Sequence, residues 1–90
     1  MASVEWADQA LDDVDLIVSY IEQFNPAAAR RVAQRLHALG NSLSDFPRRG
    51  RPMDDGTREM VTVVPYVLRY DTDGDHVFIL SVRHGARLPD

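Results

Sequence analysis

The sequence predicts an α+β fold of strand, helix, helix, strand, strand, strand, with a helical hairpin packed on a small antiparallel sheet. Three observations predict it. Apolar residues recur at three- and four-residue steps from residue 9 to residue 43, the period of helices. The segment "FNPAAARR" interrupts that pattern and divides it in two. Beyond the proline- and glycine-bearing segment 46–56 the pattern changes to three short strand-like runs separated by turn residues. Ninety residues make one domain, residues 1–90. A chain of this length buries little more than half of the surface it exposes when unfolded, so a tightly bound partner would add to its stability.

In chain order, "SVEW" (residues 3–6) alternates Ser3 and Glu5 with Val4 and Trp6 and reads as a brief strand. Asp8 is placed to cap the helix that follows, over about residues 9–23. Ala10, Leu11, Val14, Ile17, Val18 and Ile21 form its apolar stripe, and the acids of its first turns suit the helix dipole. Asn25 then caps a second helix, with Pro26 at the first helical position, where its missing N–H costs nothing. Ala29, Val32, Ala33, Leu36, Leu39 and Leu43 share one face of it, and Gly40 within that stripe predicts close approach to the first helix. So short a joint makes the two helices antiparallel neighbours. Segment 46–56, "FPRRGRPMDDG", reads as a loop. The runs 57–64, 66–70 and 76–84 read as a three-stranded meander, with Asp73-Gly74 as the hairpin turn before the last.

Composition narrows the chemistry. There is no cysteine, which excludes disulfides and thiolate metal sites. The acidic N-terminal segment lacks the layout of a signal peptide, and no apolar run approaches the ~20 residues that span a bilayer, so a soluble cytoplasmic protein without a membrane partner is expected. The formal net charge is −4, and every Lys-or-Arg position is arginine. Residues 1–46 hold seven acids and three arginines, and residues 47–90 hold seven of each. A general nucleic-acid binder shows a basic surplus; this chain has none, so a nucleic-acid role would have to be local, and direct sequence-specific DNA binding by the chain alone is not expected. No nucleophile motif surrounds Ser42, Ser44 or Ser81, and His37, His76 and His84 lack metal-ligand spacing. No metal and no cofactor are expected.

Strand parity assigns faces. Phe78, Leu80 and Val82 are set toward the helices, and Val77, Ile79, Ser81 and Arg83 away from them. In the middle strand Leu68 and Tyr70 face the core, with Val67 and Arg69 on the open side. In the first strand of the meander Val61 and Val63 face the core, leaving Arg58, Met60 and Thr62 open. On this assignment Arg58, Arg69 and Arg83 project from one face. Pairing with acids such as Asp71 is the plainer explanation of such arginines.

The ordered fragments "NPAAARRV", "FPRRGRP", "GTRE", "PYVLRY" and "ILSVRHGAR" resemble the RelE/ParE toxin superfamily of type II toxin–antitoxin systems over nearly the whole chain. The resemblance implies the same strand–helix–helix–meander fold and a toxin neutralised by a cognate antitoxin. ParE-like members poison DNA gyrase and are not nucleases; RelE-like members cut mRNA in the ribosome. "NPAAAR", "GRP", "HGAR", the acidic balance and the lack of lysine favour the ParE-like branch, hence gyrase as target and no catalytic residues. On the RelE-like alternative the chain would be an endoribonuclease, with Arg58, Arg69, Arg83 and His84 in the catalytic set. A third alternative is a non-toxic member that only binds antitoxin. The resemblance points to Arg58, Arg69, Arg83, His84 and Arg87 for target binding and toxicity. It implies a ParD-like antitoxin whose C-terminal segment wraps this chain; apolar side chains of the helices such as Val18, Ile21 and Leu39 are its expected anchors, the alternative being that all three are core.

Overall fold

A computed structural model describes residues 1–85. The elements are β1 (Ser3–Trp6), α1 (Asp8–Glu22), α2 (Pro26–Ser42), β2 (Arg51–Pro52), β3 (Arg58–Met60), β4 (Tyr66–Thr72) and β5 (His76–His84). They form one five-stranded sheet in the order β1-β5-β4-β3-β2, with the helical hairpin on one face. The expected α+β arrangement is present, but the first strand pairs differently. β1 joins the edge of β5 in parallel, so the sheet is mixed rather than wholly antiparallel. No described helix is long and apolar enough to cross a membrane.

α1 begins one residue earlier than expected. Its N-cap is Ala7, which makes no side-chain cap bond, and Asp8 sits in the first turn, where its charge meets the exposed N–H groups. α2 starts as expected: Asn25 Oδ1 accepts the Ala28 N–H at 3.0 Å, with Pro26 next in line. Gly40 serves a different contact from the one expected. A Cβ there would strike the Trp6 ring and Ile79, so the small residue lets α2 approach the sheet, not α1. Tyr70, Leu36, Leu43, Leu68, Ile79 and Val77 are the largest fully buried side chains. Burial of each stabilises the fold by roughly 1.5–3 kcal/mol against leaving it exposed.

Two departures in the sheet decide which side chains share a face. β5 carries a register shift against β4: Arg69 lies opposite Ser81, and Tyr70 lies opposite Ile79, so Leu80 is an extra residue. Before this bulge Val77 and Ile79 point into the core and Phe78 is exposed, the reverse of the expected parity. After it Val82 is buried as expected, and Leu80 is only partly buried. Past the bulge, and past Ile79 where the pairing with β1 ends, the Val82 N–H donates to Asp13 Oδ2 on α1 at 2.9 Å. Gln9 Nε2 donates to the other oxygen of Asp13 at 2.7 Å and fixes the carboxylate.

The second departure concerns β3. The expected strand 57–64 shrinks to Arg58–Met60, because the chain turns at Val63, whose carbonyl accepts the Tyr66 N–H at 2.8 Å. Arg58 lies opposite Tyr70 and Met60 opposite Leu68, so both sit on the helix-facing side; Met60 is buried and Val61 is exposed. Glu59 takes the open face. The segment expected to be all loop holds β2, which pairs with β3 through a turn containing Gly56 at φ 88°.

Candidate functional site

Of the arginines expected to share a face, the structure brings two together. Arg69 and Arg83 project from the open face, and Arg58 does not. Arg58 Nη1 instead donates to the carbonyls of Arg48 at 3.0 Å and Gly50 at 2.7 Å. It acts on the 46–50 loop from inside the fold. Tyr70 joins it there: its hydroxyl accepts the Gly50 N–H at 2.9 Å, and Gly50 lies so close to the ring that a Cβ would meet it at 2.7 Å.

The open face is a ladder of charges built by direct cross-strand pairing. Arg51, Glu59 and Arg69 lie opposite one another across β2, β3 and β4. Arg83 reaches over from β5: its Nη2 donates to Glu59 Oε2 at 3.1 Å, and Arg51 Nη2 stands 3.8 Å from Glu59 Oε1. The Glu59 side chain is only 11% exposed, so its charge is held between two guanidinium groups rather than by water. Val67 lies opposite Arg83 on β4 and is buried on this face, where the reach of Arg83 toward β3 helps to cover it. Arg83 Nη1 is buried without a hydrogen-bond partner among the described residues. Arg69 has its own carboxylate: Nη2 donates to Asp55 Oδ2 at 2.6 Å, and Nε donates to the Thr57 hydroxyl at 3.2 Å. Hydrogen bonds from the Thr57 hydroxyl and N–H, and then the Arg69 charge, hold the Asp55 carboxyl below its ordinary pKa. These arginines are thus engaged with carboxylates of the same chain.

His84 faces the other way. It lies opposite Tyr66, with the two rings in edge-to-face contact at 5.7 Å. Both line a groove of about 560 Å³ between α1 and the end of the sheet, with Leu16, Ile17, Tyr20 and Ile21 on the helix side and Val82 and Arg83 on the strand side. Along α1, Leu16 and Tyr20 are 71% and 65% exposed, and Phe24 just beyond the helix is 72% exposed and packs on the Tyr20 ring. The expected antitoxin anchors fare differently. Val18 and Ile21 are half-buried, whereas Leu39 is a core residue and is not available as an exposed anchor. Arg87 lies outside the described residues.

Sequence reasoning missed Glu59, Asp55 and Arg51, which neutralise or extend the open face, and Leu16, Tyr20 and Phe24. The second set had a signal: a four-residue recurrence beside the apolar stripe used for the core.

Comparisons with known proteins bear on the family and the fold. A family model described as the ParE toxin of the type II toxin–antitoxin system parDE matches residues 4–89. "Toxin RelE2" of Caulobacter vibrioides is 47% identical over 88 residues, covering 98% of this chain and all of that protein. "Toxin RelE1" of the same organism is 32% identical over 82 residues, covering 86% of each. The solved structure "Chromosomal ParDE TA system from P. aeruginosa" superposes with a TM-score of 0.82 over 93% of this chain and 96% of that one, at 22% identity, a likeness of fold. With the matched family spanning nearly every residue and a relative of equal extent at such identity, the chain belongs to the ParE toxin family of type II toxin–antitoxin systems.

Proposed function

We propose that this toxin acts in the cytoplasm by inhibiting DNA gyrase, and that a ParD-like antitoxin neutralises it. The observation that carries the gyrase reading is the state of the arginines. A nuclease of this architecture needs cationic groups free to stabilise a pentacovalent phosphate and a group poised for proton transfer. Here Arg58 holds backbone carbonyls, Arg69 is held by Asp55, and Arg83 by Glu59. His84 points to the opposite face from Arg69, so the four residues of the RelE-like set do not converge on one phosphate. The RelE-like alternative draws its support from the 47% identical relative, which is named toxin RelE2.

For the antitoxin, the groove beside α1 offers the docking mode of an amphipathic segment laid on apolar side chains. Leu16, Tyr20 and Phe24 stand exposed at its helix edge, with Val18 and Ile21 as half-buried neighbours. Tyr66 and His84 at the strand edge suit a segment that also carries polar side chains.

The deciding experiment compares two targets with the same purified toxin. Supercoiling and DNA cleavage by gyrase are followed in one arm, and mRNA cleavage in translating ribosomes in the other. Gyrase inhibition, relieved by the antitoxin, is expected without codon-positioned mRNA cuts. Cuts that vanish in Arg69→Ala or His84→Ala would assign the chain to the RelE-like activity instead.

A further inference from the structure

The arginines of the described residues fall into two groups. Arg51, Arg69 and Arg83 lie within ion-pair distance of carboxylates, and Arg58 is bound to carbonyls. Arg30, Arg31, Arg35, Arg48 and Arg49 are exposed, and among the described residues none of them forms an ion pair. Among the described residues, the arginines bound to neither a carboxylate nor a carbonyl are therefore on α2 and the loop after it.

Charge is also segregated along the chain. Residues 1–22 hold six acids and no arginine, whereas residues 23–53 hold six arginines and one acid, Asp45. The two helices of one hairpin consequently carry opposite charge: α1 has acids only and α2 arginines only. The loop prolongs the basic stretch and is held firmly. Arg49 Nη1 donates to the Ser42 hydroxyl in the last turn of α2 at 3.1 Å, and Arg58 and Tyr70 grip the loop backbone from within. Phe46 stands 64% exposed on it, two positions before Arg48. From Arg31 to Ser42 the helix rises about 16 Å, which is roughly the run of five phosphates along one strand of a duplex.

We infer that the outer face of α2 and the 46–49 loop bind the phosphodiester backbone of duplex DNA without regard to sequence, while the acidic α1 turns the polyanion away and so fixes its orientation. The inference deepens the gyrase reading, because it gives the toxin a hold on the DNA that gyrase handles. Guanidinium groups at both ends of that span, Arg31 and Arg35 on the helix and Arg49 at Ser42, can meet phosphates along one strand, and an exposed aromatic ring on the same loop adds a surface for sugar or base. With the whole molecule at −4, attraction at long range is absent, and the contact is local and sensitive to salt.

The test needs no gyrase, so the two readings fail separately. Fluorescence anisotropy of a short labelled duplex is measured with wild type and with Arg31→Gln, Arg35→Gln and Arg49→Gln, singly and together, over a salt series. Wild type should bind with a log–log salt slope of about −3, for three to four phosphate contacts. Each single variant should lower the magnitude of the slope by about 1, and the triple variant should bind at least about tenfold more weakly at low salt. Arg69→Gln, whose guanidinium already has Asp55, should leave the slope unchanged. These positions are exposed, and each single variant reads the same contact, so one poorly folded variant does not remove the test. Four results would overturn the inference: no salt-dependent duplex binding, an equal effect of Arg69→Gln, tenfold tighter binding of an RNA hairpin, or preference for polyglutamate over the duplex. The last would give this face to an acidic protein segment.

Discussion

Asp13 should be worth more to this fold than its place on a helix surface suggests. Its Oδ2 accepts the Val82 N–H at 2.9 Å, bridging positions 69 apart in sequence and tying α1 to β5 beyond Ile79, where the pairing with β1 ends. Asp13→Ala leaves that part-buried N–H without a partner. A stranded group of this kind costs about 1–3 kcal/mol, and partial access to water places this one in the lower half, about 1–2 kcal/mol. Alanine returns up to about 0.7 kcal/mol through its better helix propensity. Asp12→Ala, at the exposed neighbouring position, measures that return directly. For a domain of this size each kcal/mol moves the thermal midpoint by roughly 4–8 °C, so Asp13→Ala should melt roughly 4–16 °C below Asp12→Ala. Asp13→Asn keeps an acceptor but loses the charge, and should fall between. The assay is thermal denaturation followed by circular dichroism. If Asp13→Ala and Asp12→Ala melt within about 2 °C of each other, the carboxylate does not hold α1 to β5.

Other outcomes follow from the same geometry. Gly50→Ala would press a methyl group onto the buried Tyr70 ring and should lower stability by about 1–3 kcal/mol; an unchanged urea midpoint would show that the loop yields freely. The folded-state pKa of Asp55 is depressed, so its contribution is present above the unfolded pKa and lost as pH falls through the folded value. Asp55→Asn should therefore melt below wild type at neutral pH, the two curves should converge in acid, and parallel curves would remove Asp55 from the acid response. Tyr20→Ala and Leu16→Ala, at exposed sites, should change stability by less than about 0.5 kcal/mol. They should nevertheless weaken antitoxin binding at least about tenfold by calorimetry, and wild-type affinity in both would empty the groove of its proposed occupant. Leu39→Ala should instead cost about 2–5 kcal/mol in a denaturant titration, as a core truncation does.

The helices were legible because their apolar stripes run for many residues and their punctuation is chemical. Asn25-Pro26 could hardly be read otherwise. The strands were legible as strands but not as faces. Val77, Phe78, Ile79 and Leu80 are all apolar, so no alternation records that a bulge inserts Leu80 and reverses the parity before it. Met60 and Val61 pose the same ambiguity in β3, and choosing Val61 for the core carried Arg58 onto the wrong face. The β2–β3 hairpin left a trace in Asp55-Gly56, but two-residue strands have no period to detect. The open-face ladder was half visible: the arginines stood out, whereas Glu59 and Asp55 become their partners only through register and a turn. The parallel pairing of β1 with β5 joins segments too far apart for any local pattern to reveal.

That pairing has a consequence in time. Ser3 lies beside His76, so β1 has no neighbour until 73 further residues have been made. At a synthesis rate of roughly 5–20 residues per second, the interval is roughly 4–15 s, whereas helix formation takes microseconds or less. Throughout it the nascent hairpin can form while the faces of α1 and α2 that will meet Val77, Ile79 and Val82 stay uncovered. A protein present at the ribosome during those seconds meets an apolar surface that the finished molecule no longer shows. Capture or misassociation of this chain is therefore set as much by the order in which its segments are made as by the surface it ends with.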